Sequence, residues 1–90
     1  MDENKIHEIL KAYTKEQQTI KAIEELGELQ VELARILNNQ GNVSNMFTEL
    51  ADVFIMITQI IVLYDVDTEQ LDKEIAFKLD RQIKRIRGED

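Results

Sequence analysis

Apolar residues recur at helical spacing along most of this chain, and no proline interrupts them. The ninety residues contain three glycines, Gly27, Gly41 and Gly88. Proline removes a backbone hydrogen-bond donor and clashes with the preceding helical turn, so its absence permits long helices. No segment shows the strict alternation of apolar and polar residues that marks a half-buried strand. The sequence therefore predicts an all-α fold.

The periodicity predicts four helices within a single domain that spans residues 1–90. Their expected positions are about 4–16, 17–39, 45–64 and 69–87. The boundary between the first two is weakly marked near residues 14–18, so one kinked helix is the alternative. Turn-forming residues separate the others.

Residues between the helices suggest how each helix begins or ends. Gly41 is expected to terminate the second helix, because glycine commonly occupies the left-handed position after a helix. Ser44 is a candidate N-cap for the third helix, and Asp67 or Thr68 for the fourth.

The third helix is apolar nearly all the way round, unlike the other three. A helix of this kind is buried, either inside its own bundle or against another subunit. The fourth helix is amphipathic, and we expect its apolar residues Leu71, Ile75, Leu79 and Ile86 to face inward. Together these patterns predict a four-helix bundle.

Length and composition limit what holds such a bundle together. Ninety residues give room for only a modest core, and the chain has no cysteine for disulfides or thiolate metal sites. Oligomerisation is the remaining common support, so at least a dimer is expected. The acidic, polar start is unlike a secretory signal, and the most apolar run, Val53 to Tyr64, is too short to span a bilayer. We expect a cytoplasmic protein that does not associate with membranes.

The chain is acidic, with eighteen Asp and Glu against eleven Lys and Arg and a formal charge of −7. Non-specific binding to nucleic acid requires a basic surface, so nucleic acid is not an expected partner. A small phosphorylated substrate remains compatible, because a bound metal ion reverses the local charge.

Two pairs of carboxylates lie three residues apart on the second and third helices. Glu25 pairs with Glu28, and Glu49 pairs with Asp52. Side chains at this spacing share one helix face and repel each other when both are ionised. If the two helices pack side by side, the four carboxylates converge. An all-oxygen cluster of this kind is typical of a Mg²⁺ or Mn²⁺ site.

Simpler explanations exist for each carboxylate pair. On the second helix, a solvated acidic face relieved by pairing of Lys21 with Glu25 is the alternative. Proximity to the helix N-terminus would stabilise Glu49. That explanation does not cover Asp52, for which a salt bridge to a base of the fourth helix is the better alternative. An ionised carboxylate on an otherwise apolar helix needs a partner of some kind.

A basic stripe follows on the fourth helix, where Lys78, Arg81 and Arg85 line one edge of the apolar face. An ordinary solvated basic face would have the same composition. Beside a metal cluster, however, such residues bind phosphate oxygens and neutralise charge that develops during attack at phosphorus.

The order of these motifs resembles the all-α nucleoside triphosphate pyrophosphohydrolases, a family that includes MazG-like proteins, dCTP pyrophosphatases and dimeric dUTPases. Glu24, Glu25 and Glu28 match its EExxE motif, and Glu49 and Asp52 match its ExxD motif. The resemblance covers about residues 17–87 and includes the basic segment of the fourth helix. Relatives often carry asparagine where this chain has Gln82.

The resemblance implies a fold, a reaction and a set of site residues. It implies a MazG-like bundle that assembles as a homodimer or as a tetramer made of two dimers. The reaction would be Mg²⁺-dependent hydrolysis of a nucleoside triphosphate to the monophosphate and pyrophosphate, with Mn²⁺ able to substitute. Removal of non-standard or surplus nucleotides is a role compatible with this reaction. The residues implied are Glu25, Glu28, Glu49 and Asp52 as metal ligands, Glu24 with Glu25 in catalysis, and Lys78, Arg81 and Arg85 at the phosphates.

A second hypothesis is a non-catalytic helical module that binds metal or nucleotide as an oligomer. It is motivated by the small size, the absence of tryptophan to grip a base, and Gln82. Pyrophosphate release from a nucleotide discriminates between the two hypotheses.

Overall fold

The structure is a computed structural model that describes residues 1–89, and it is all-α. Its four helices are α1 (Glu3–Ala12), α2 (Lys15–Leu37), α3 (Val43–Leu63) and α4 (Thr68–Ile86). No strand occurs in this range. The all-α prediction is confirmed, and each helix boundary lies within four residues of its predicted position.

The first two helices are separate, so the alternative of one kinked helix is wrong. Tyr13 and Thr14 both have extended backbone conformations, and a capping box starts α2. The Thr14 hydroxyl accepts a hydrogen bond from the Gln17 backbone N–H at 3.0 Å, and the Gln17 side chain accepts one from the Thr14 N–H at 2.9 Å. This reciprocal pairing satisfies two donors that a helix start leaves without intrahelical partners.

The cap of α3 differs from the prediction. Asn42, not Ser44, is the N-cap, and its side chain accepts a hydrogen bond from the Asn45 N–H at 2.7 Å. Ser44 already lies inside the first turn, where its hydroxyl cannot cap the helix. For α4, the N-cap is Asp67 and not Thr68. The Asp67 carboxylate accepts hydrogen bonds from the backbone N–H groups of Glu69 and Gln70.

Gly41 does not terminate α2 in the way we expected. The left-handed position after the helix belongs to Asn39, at φ +60°. Gly41 is instead constrained by close packing, because a Cβ there would lie 2.7 Å from the Glu32 Oε1 and 3.0 Å from an Ile36 side-chain carbon. The glycine lets the α2–α3 loop pass close against α2.

The packed part of the molecule is the α2–α3 pair, with α1 resting on α3. Its buried apolar side chains are Ile6, Ala22, Val53 and Met56. Within this core, the Gln18 side-chain amide donates a hydrogen bond to the Gln59 amide oxygen. A buried polar pair that is mutually satisfied avoids most of the desolvation cost.

Much of α3 and α4 is exposed in the single chain. For α4 this is contrary to the expectation that its apolar residues face inward, whereas for α3 burial against another subunit stays a prediction. On α3, Phe47 and Phe54 are 70% and 62% exposed. On α4, every described side chain is exposed apart from the half-buried Leu71 and Arg81, so Ile75, Leu79 and Ile86 do not face a core. The apolar periodicity of both helices is present, but no surface of the described chain covers these side chains.

The overall dimensions also show that the single chain is less compact than a globular domain of its length. A compact domain of this length would have a radius of gyration of about 12 Å. The observed value is 16.3 Å. Compact monomers of this mass expose about 5,400 Å² of surface. This chain exposes 7306 Å².

The helix α3 is also long and apolar enough, by length and composition, to cross a membrane. The apolar run Val53 to Tyr64 is only part of this helix, which begins ten residues earlier, at Val43. One such helix is weak evidence of membrane insertion, since the core helix of a soluble protein passes the same test.

Candidate metal centre

The four predicted carboxylates meet at one point between α2 and α3. Glu25, Glu28, Glu49 and Asp52 each offer an oxygen atom, and these four atoms lie within 4.8 Å of one another. Opposite ligands of one Mg²⁺ are about 4 Å apart, so the cluster is slightly wider than the ligand shell of a single ion. The four side chains form a group that could hold a metal ion.

Glu25 is the most buried member, at 7% exposure. Its Oε1 lies 3.0 Å from the Lys21 ammonium, one helical turn earlier. Its Oε2 is buried and has no hydrogen-bond partner among the described residues, and the same holds for the Glu49 Oε2. A buried carboxylate oxygen without a donor is costly, and a bound cation would remove that cost.

Repulsion within the cluster is visible in its proton affinities. The charge of Glu25 raises the pKa of Glu28 above its ordinary value, with smaller contributions from desolvation and from Glu49. Partial burial, followed by the charge of Glu25, raises the pKa of Asp52. The hydrogen bond to Glu25 raises the pKa of Lys21, and the charge of Glu25 adds to that shift. One lysine therefore only partly balances the four carboxylates.

The simpler explanations for these carboxylates fit the structure only in part. Pairing of Lys21 with Glu25 is confirmed. Helix-dipole stabilisation of Glu49 is weak, because α3 begins at Val43 and the effect falls off within the first turn.

Glu24 and Glu32 of α2 lie beside the cluster but do not belong to it. Glu24 is exposed at the rim and lies 3.9 Å from the Lys21 ammonium. Glu32 is buried, and its Oε1 accepts a hydrogen bond from the Asn42 backbone N–H at 3.2 Å. Glu32 therefore holds the α2–α3 loop, whereas Glu24 is available to a molecule bound at the rim.

Grooves flank the cluster on both sides along α2. The first groove, of about 500 Å³, has a mostly apolar wall with several amide and amine groups. It is lined by Ile9, Tyr13, Gln17, Gln18, Lys21, Met56 and Gln59. The second groove, of about 510 Å³, contains two members of the cluster. It is lined by Glu24, Gly27, Glu28, Val31, Glu32, Arg35 and Glu49.

The basic stripe does not complete this site in the single chain. Neither groove contains an α4 residue among those that line it. Lys78 and Arg85 are exposed. Arg81 is half-buried, with its guanidinium 5.7 Å from the Phe77 ring centre, and its Nε is buried without a hydrogen-bond partner among the described residues. The structure thus brings the carboxylates together but leaves the predicted phosphate-binding residues apart from them.

The structure also shows site-lining residues that sequence reasoning did not single out. Gln18 and Gln59 line the first groove although they are 41 positions apart, and Arg35 lines the second. Arg35 could have been noticed, since it follows Glu28 and Glu32 at helical spacing. The glutamine pair carries no such signal, because only the packing of α2 on α3 brings the two together.

Comparison with known proteins identifies no relative for this chain. No family model matches it, and neither does any curated protein or solved structure.

Proposed function

We propose that this protein is a Mg²⁺-dependent nucleoside triphosphate pyrophosphohydrolase of the MazG-like type. The observation that carries the proposal is the convergence of four carboxylates, two of which have buried oxygens without a hydrogen-bond donor. Ion pairing alone leaves those oxygens unsatisfied, whereas a divalent cation satisfies both.

The donor set favours Mg²⁺, with Mn²⁺ as a substitute. All four side chains offer oxygen only, which suits hard cations, and the chain contains no cysteine. Glu25, Glu28, Glu49 and Asp52 would hold the ion. When bound, the ion would supply Lewis-acid chemistry, making a water molecule more acidic and offsetting negative charge on the phosphates.

The two grooves suggest how a nucleotide would lie across the cluster. The nucleoside would occupy the first groove, where Tyr13 offers a ring and the Gln18–Gln59 pair offers amide groups. The triphosphate would extend over the carboxylates into the second groove. Glu24, exposed at its rim, would orient the attacking water and accept its proton. Attack at the α-phosphorus breaks the bond to the bridging oxygen and releases pyrophosphate.

The proposal also covers the oligomeric state of the protein and its location in the cell. The exposed apolar faces of α3 and α4 support a homodimer, or a tetramer made of two dimers, in which the four-helix bundle is completed. A nucleotide substrate and a cysteine-free chain fit the cytoplasm. Removal of non-standard or surplus nucleotides is the role that this reaction would serve.

One observation favours the second candidate, a non-catalytic module that binds metal or nucleotide. In the single chain, the bases of α4 do not reach the grooves beside the carboxylates. A protein with this arrangement would bind a metal ion without stabilising the charge that develops on the phosphates.

Pyrophosphate release separates the two candidates. The purified protein would be supplied with a panel of ribo- and deoxyribonucleoside triphosphates in Mg²⁺, in Mn²⁺ and in chelator, and the products would be identified. Metal-dependent formation of pyrophosphate and monophosphate is expected. Release of single phosphate instead would contradict the reaction, and metal binding without any product would favour the non-catalytic module.

Matched variants tie the activity to the cluster. Asp52→Asn keeps the shape of the side chain but removes its charge, and it should lower turnover by about 10²-fold or more. Glu8→Gln makes the equivalent change on the exposed surface of α1 and should leave turnover unchanged. Circular dichroism checks that both variants remain helical.

A further inference from the structure

Arg35 lies at the far end of the second groove, the groove that also contains Glu28 and Glu49 of the cluster. No other lysine or arginine of residues 1–89 lines this groove. The Arg35 side chain is 58% exposed, so it is accessible to a molecule that occupies the groove. Neither the sequence motifs nor the metal centre assigns a role to this base.

Arg35 belongs to the same face of α2 as two members of the cluster. Glu25, Glu28, Glu32 and Arg35 follow one another at intervals of three or four residues, the spacing that places side chains in one row along a helix. Long side chains in helices lean toward the N-terminus. Accordingly, an Arg35 Nη atom lies 3.8 Å from the Glu32 Oε2, one turn nearer to the cluster. The guanidinium therefore points along the groove toward the metal centre.

Glu32 gives the guanidinium a fixed neighbour. The Glu32 side chain is only 6% exposed, and its Oε1 accepts a hydrogen bond from the Asn42 backbone N–H. Gly41 allows the loop to approach this closely, since a Cβ there would lie 2.7 Å from the same oxygen. A flexible side chain that is already held beside an anchored carboxylate loses less conformational freedom when it binds a ligand.

The contact with Glu32 leaves hydrogen-bonding capacity on Arg35. At 3.8 Å, it is an ion pair that is longer than a hydrogen bond. A guanidinium has five N–H donors in a planar fork, and this fork matches two oxygens of one phosphate. An exposed ion pair between residues three apart contributes little to helix stability, so rearranging it around a ligand costs little.

The charge of the groove means that a phosphate at its far end needs a base. Four glutamates line the groove, namely Glu24, Glu28, Glu32 and Glu49. A metal ion at the cluster would offset the charges of Glu28 and Glu49, but a phosphate lying beyond the ion would still be repelled by the other carboxylates. Arg35 is the residue of this groove that offers a positive charge at that position.

We propose that Arg35 binds the terminal phosphate of the substrate and thereby makes the protein select nucleoside triphosphates over diphosphates. The inference rests on the proposed function for the path of the phosphates from the cluster into the second groove. It requires no second chain and no residue of α4. A diphosphate held at the cluster by its α-phosphate would end before it reaches Arg35, whereas a third phosphate would extend further along the groove to the guanidinium.

Binding of nucleotides that cannot be hydrolysed tests this assignment without requiring turnover. The probes are the α,β-methylene forms of one nucleoside triphosphate and of its diphosphate, titrated in Mg²⁺ by calorimetry. The nucleoside is the one that the panel of triphosphates shows to react fastest or, without reaction, to bind most tightly. The parent should bind the triphosphate form about 10- to 100-fold more tightly than the diphosphate form, and Arg35→Gln should remove most of that preference.

Two further variants control for the loss of charge. Arg35→Lys keeps the positive charge but not the planar fork, so it should retain only part of the preference. Arg87→Gln removes an exposed base at the end of α4, outside the groove, and should retain all of it. The assignment would be overturned by an unchanged preference in Arg35→Gln, by equal binding of both probes to the parent, or by the same loss in Arg87→Gln.

Turnover of the natural triphosphate separates failure of this inference from failure of the proposed function. In Arg35→Gln, kcat/KM should fall by about 10- to 100-fold, chiefly through a higher KM. A preference that depends on Arg35 in a protein without turnover would remove the pyrophosphohydrolase but keep Arg35 at the terminal phosphate. Metal-dependent turnover with parental binding in Arg35→Gln would keep the enzyme and overturn the inference. Absence of nucleotide binding by the parent would overturn both.

Discussion

The α2–α3 pair and α4 all carry apolar residues at helical spacing, yet only the α2–α3 pair is packed together within the chain. In the pair, side chains such as Ala22 and Met56 are buried against each other, and four carboxylates are held at their contact. In α4, Leu79 and Ile86 repeat at helical spacing but remain exposed. An apolar stripe on a helix therefore predicts that the stripe will be buried. The stripe does not identify the surface against which it packs.

The largest contrast should appear in catalysis. On the proposed function, Glu49→Ala should lower pyrophosphate release by about 10³-fold, because it removes one of the four carboxylates proposed to hold the metal ion. Asp80→Asn removes an acid from the outer face of α4 and should change turnover very little. Turnover and Mg²⁺ titration of the three proteins would check this, and near-parental activity of Glu49→Ala would break the assignment of the centre.

Core truncations should separate the two regions by stability. Met56→Ala opens a cavity in the α2–α3 pair and should lower the free energy of unfolding by about 2–5 kcal/mol. Leu79→Ala on α4 should cost about 0.5 kcal/mol or less within an isolated chain, because the side chain is exposed there.

Protein concentration tests whether a second copy of the chain contributes to this contrast. Urea unfolding at two widely separated protein concentrations should show a concentration-dependent midpoint for the parent and a weaker dependence for Leu79→Ala. A midpoint independent of concentration in the parent would show that α4 has no partner copy.

The buried glutamine pair should give a smaller but specific effect. Gln59→Leu leaves the Gln18 amide buried without its acceptor and should cost about 1–3 kcal/mol in the free energy of unfolding. The double variant Gln18→Leu/Gln59→Leu should recover part of that loss, since neither polar group is then left unsatisfied. Gln70→Leu, at an exposed position on α4, is the matched control. Equal effects of Gln59→Leu and Gln70→Leu would contradict the contrast in burial.

The smallest expected effect is a dependence of stability on pH in metal-free protein. The pKa values of Glu28 and Asp52 are raised by folding. Above the ordinary carboxyl range of about 4, the folded state therefore holds more protons than the unfolded state, and stability falls as the pH rises. Thermal unfolding in chelator should occur at a higher temperature near pH 5 than near pH 7.

Two additions would sharpen the pH measurement. Mg²⁺ should raise stability at pH 7 more than at pH 5, because protons compete with the ion for the carboxylates. Glu28→Gln should reduce the pH dependence, whereas Glu8→Gln on α1 should retain it. A metal-free protein whose stability rises between pH 5 and pH 7 would contradict the repulsion within the cluster.

Features encoded within a few residues were predictable from the sequence. The absence of proline and the apolar periodicity predicted the four helices, and the three-residue spacing placed Glu25 with Glu28 and Glu49 with Asp52 on one face of each helix. The packing of α2 on α3 then brings the two pairs together. The predictions were wrong at helix ends, where neighbouring residues were equally good candidates for the same cap position. Ser44 and Asn42 are both good capping residues, and only the backbone path selects Asn42. Gly41 looked like a terminator, but the close approach of the loop to Glu32 is what requires glycine there.

The sequence by itself determined the helices, the pairing of acids on their faces and the amphipathic character of α4, because these depend on the 3.6-residue period of one helix. Only the tertiary structure decided that Glu25 is buried with an unpartnered oxygen, that Gln18 bonds Gln59, and that Glu32 holds the loop rather than joining the cluster. It also decided that α4 stands apart from the cluster. These outcomes depend on how α2 packs against α3 and on which side chains that packing leaves exposed. Contacts between segments that are distant in the sequence have no local period, so a sequence pattern cannot reveal them.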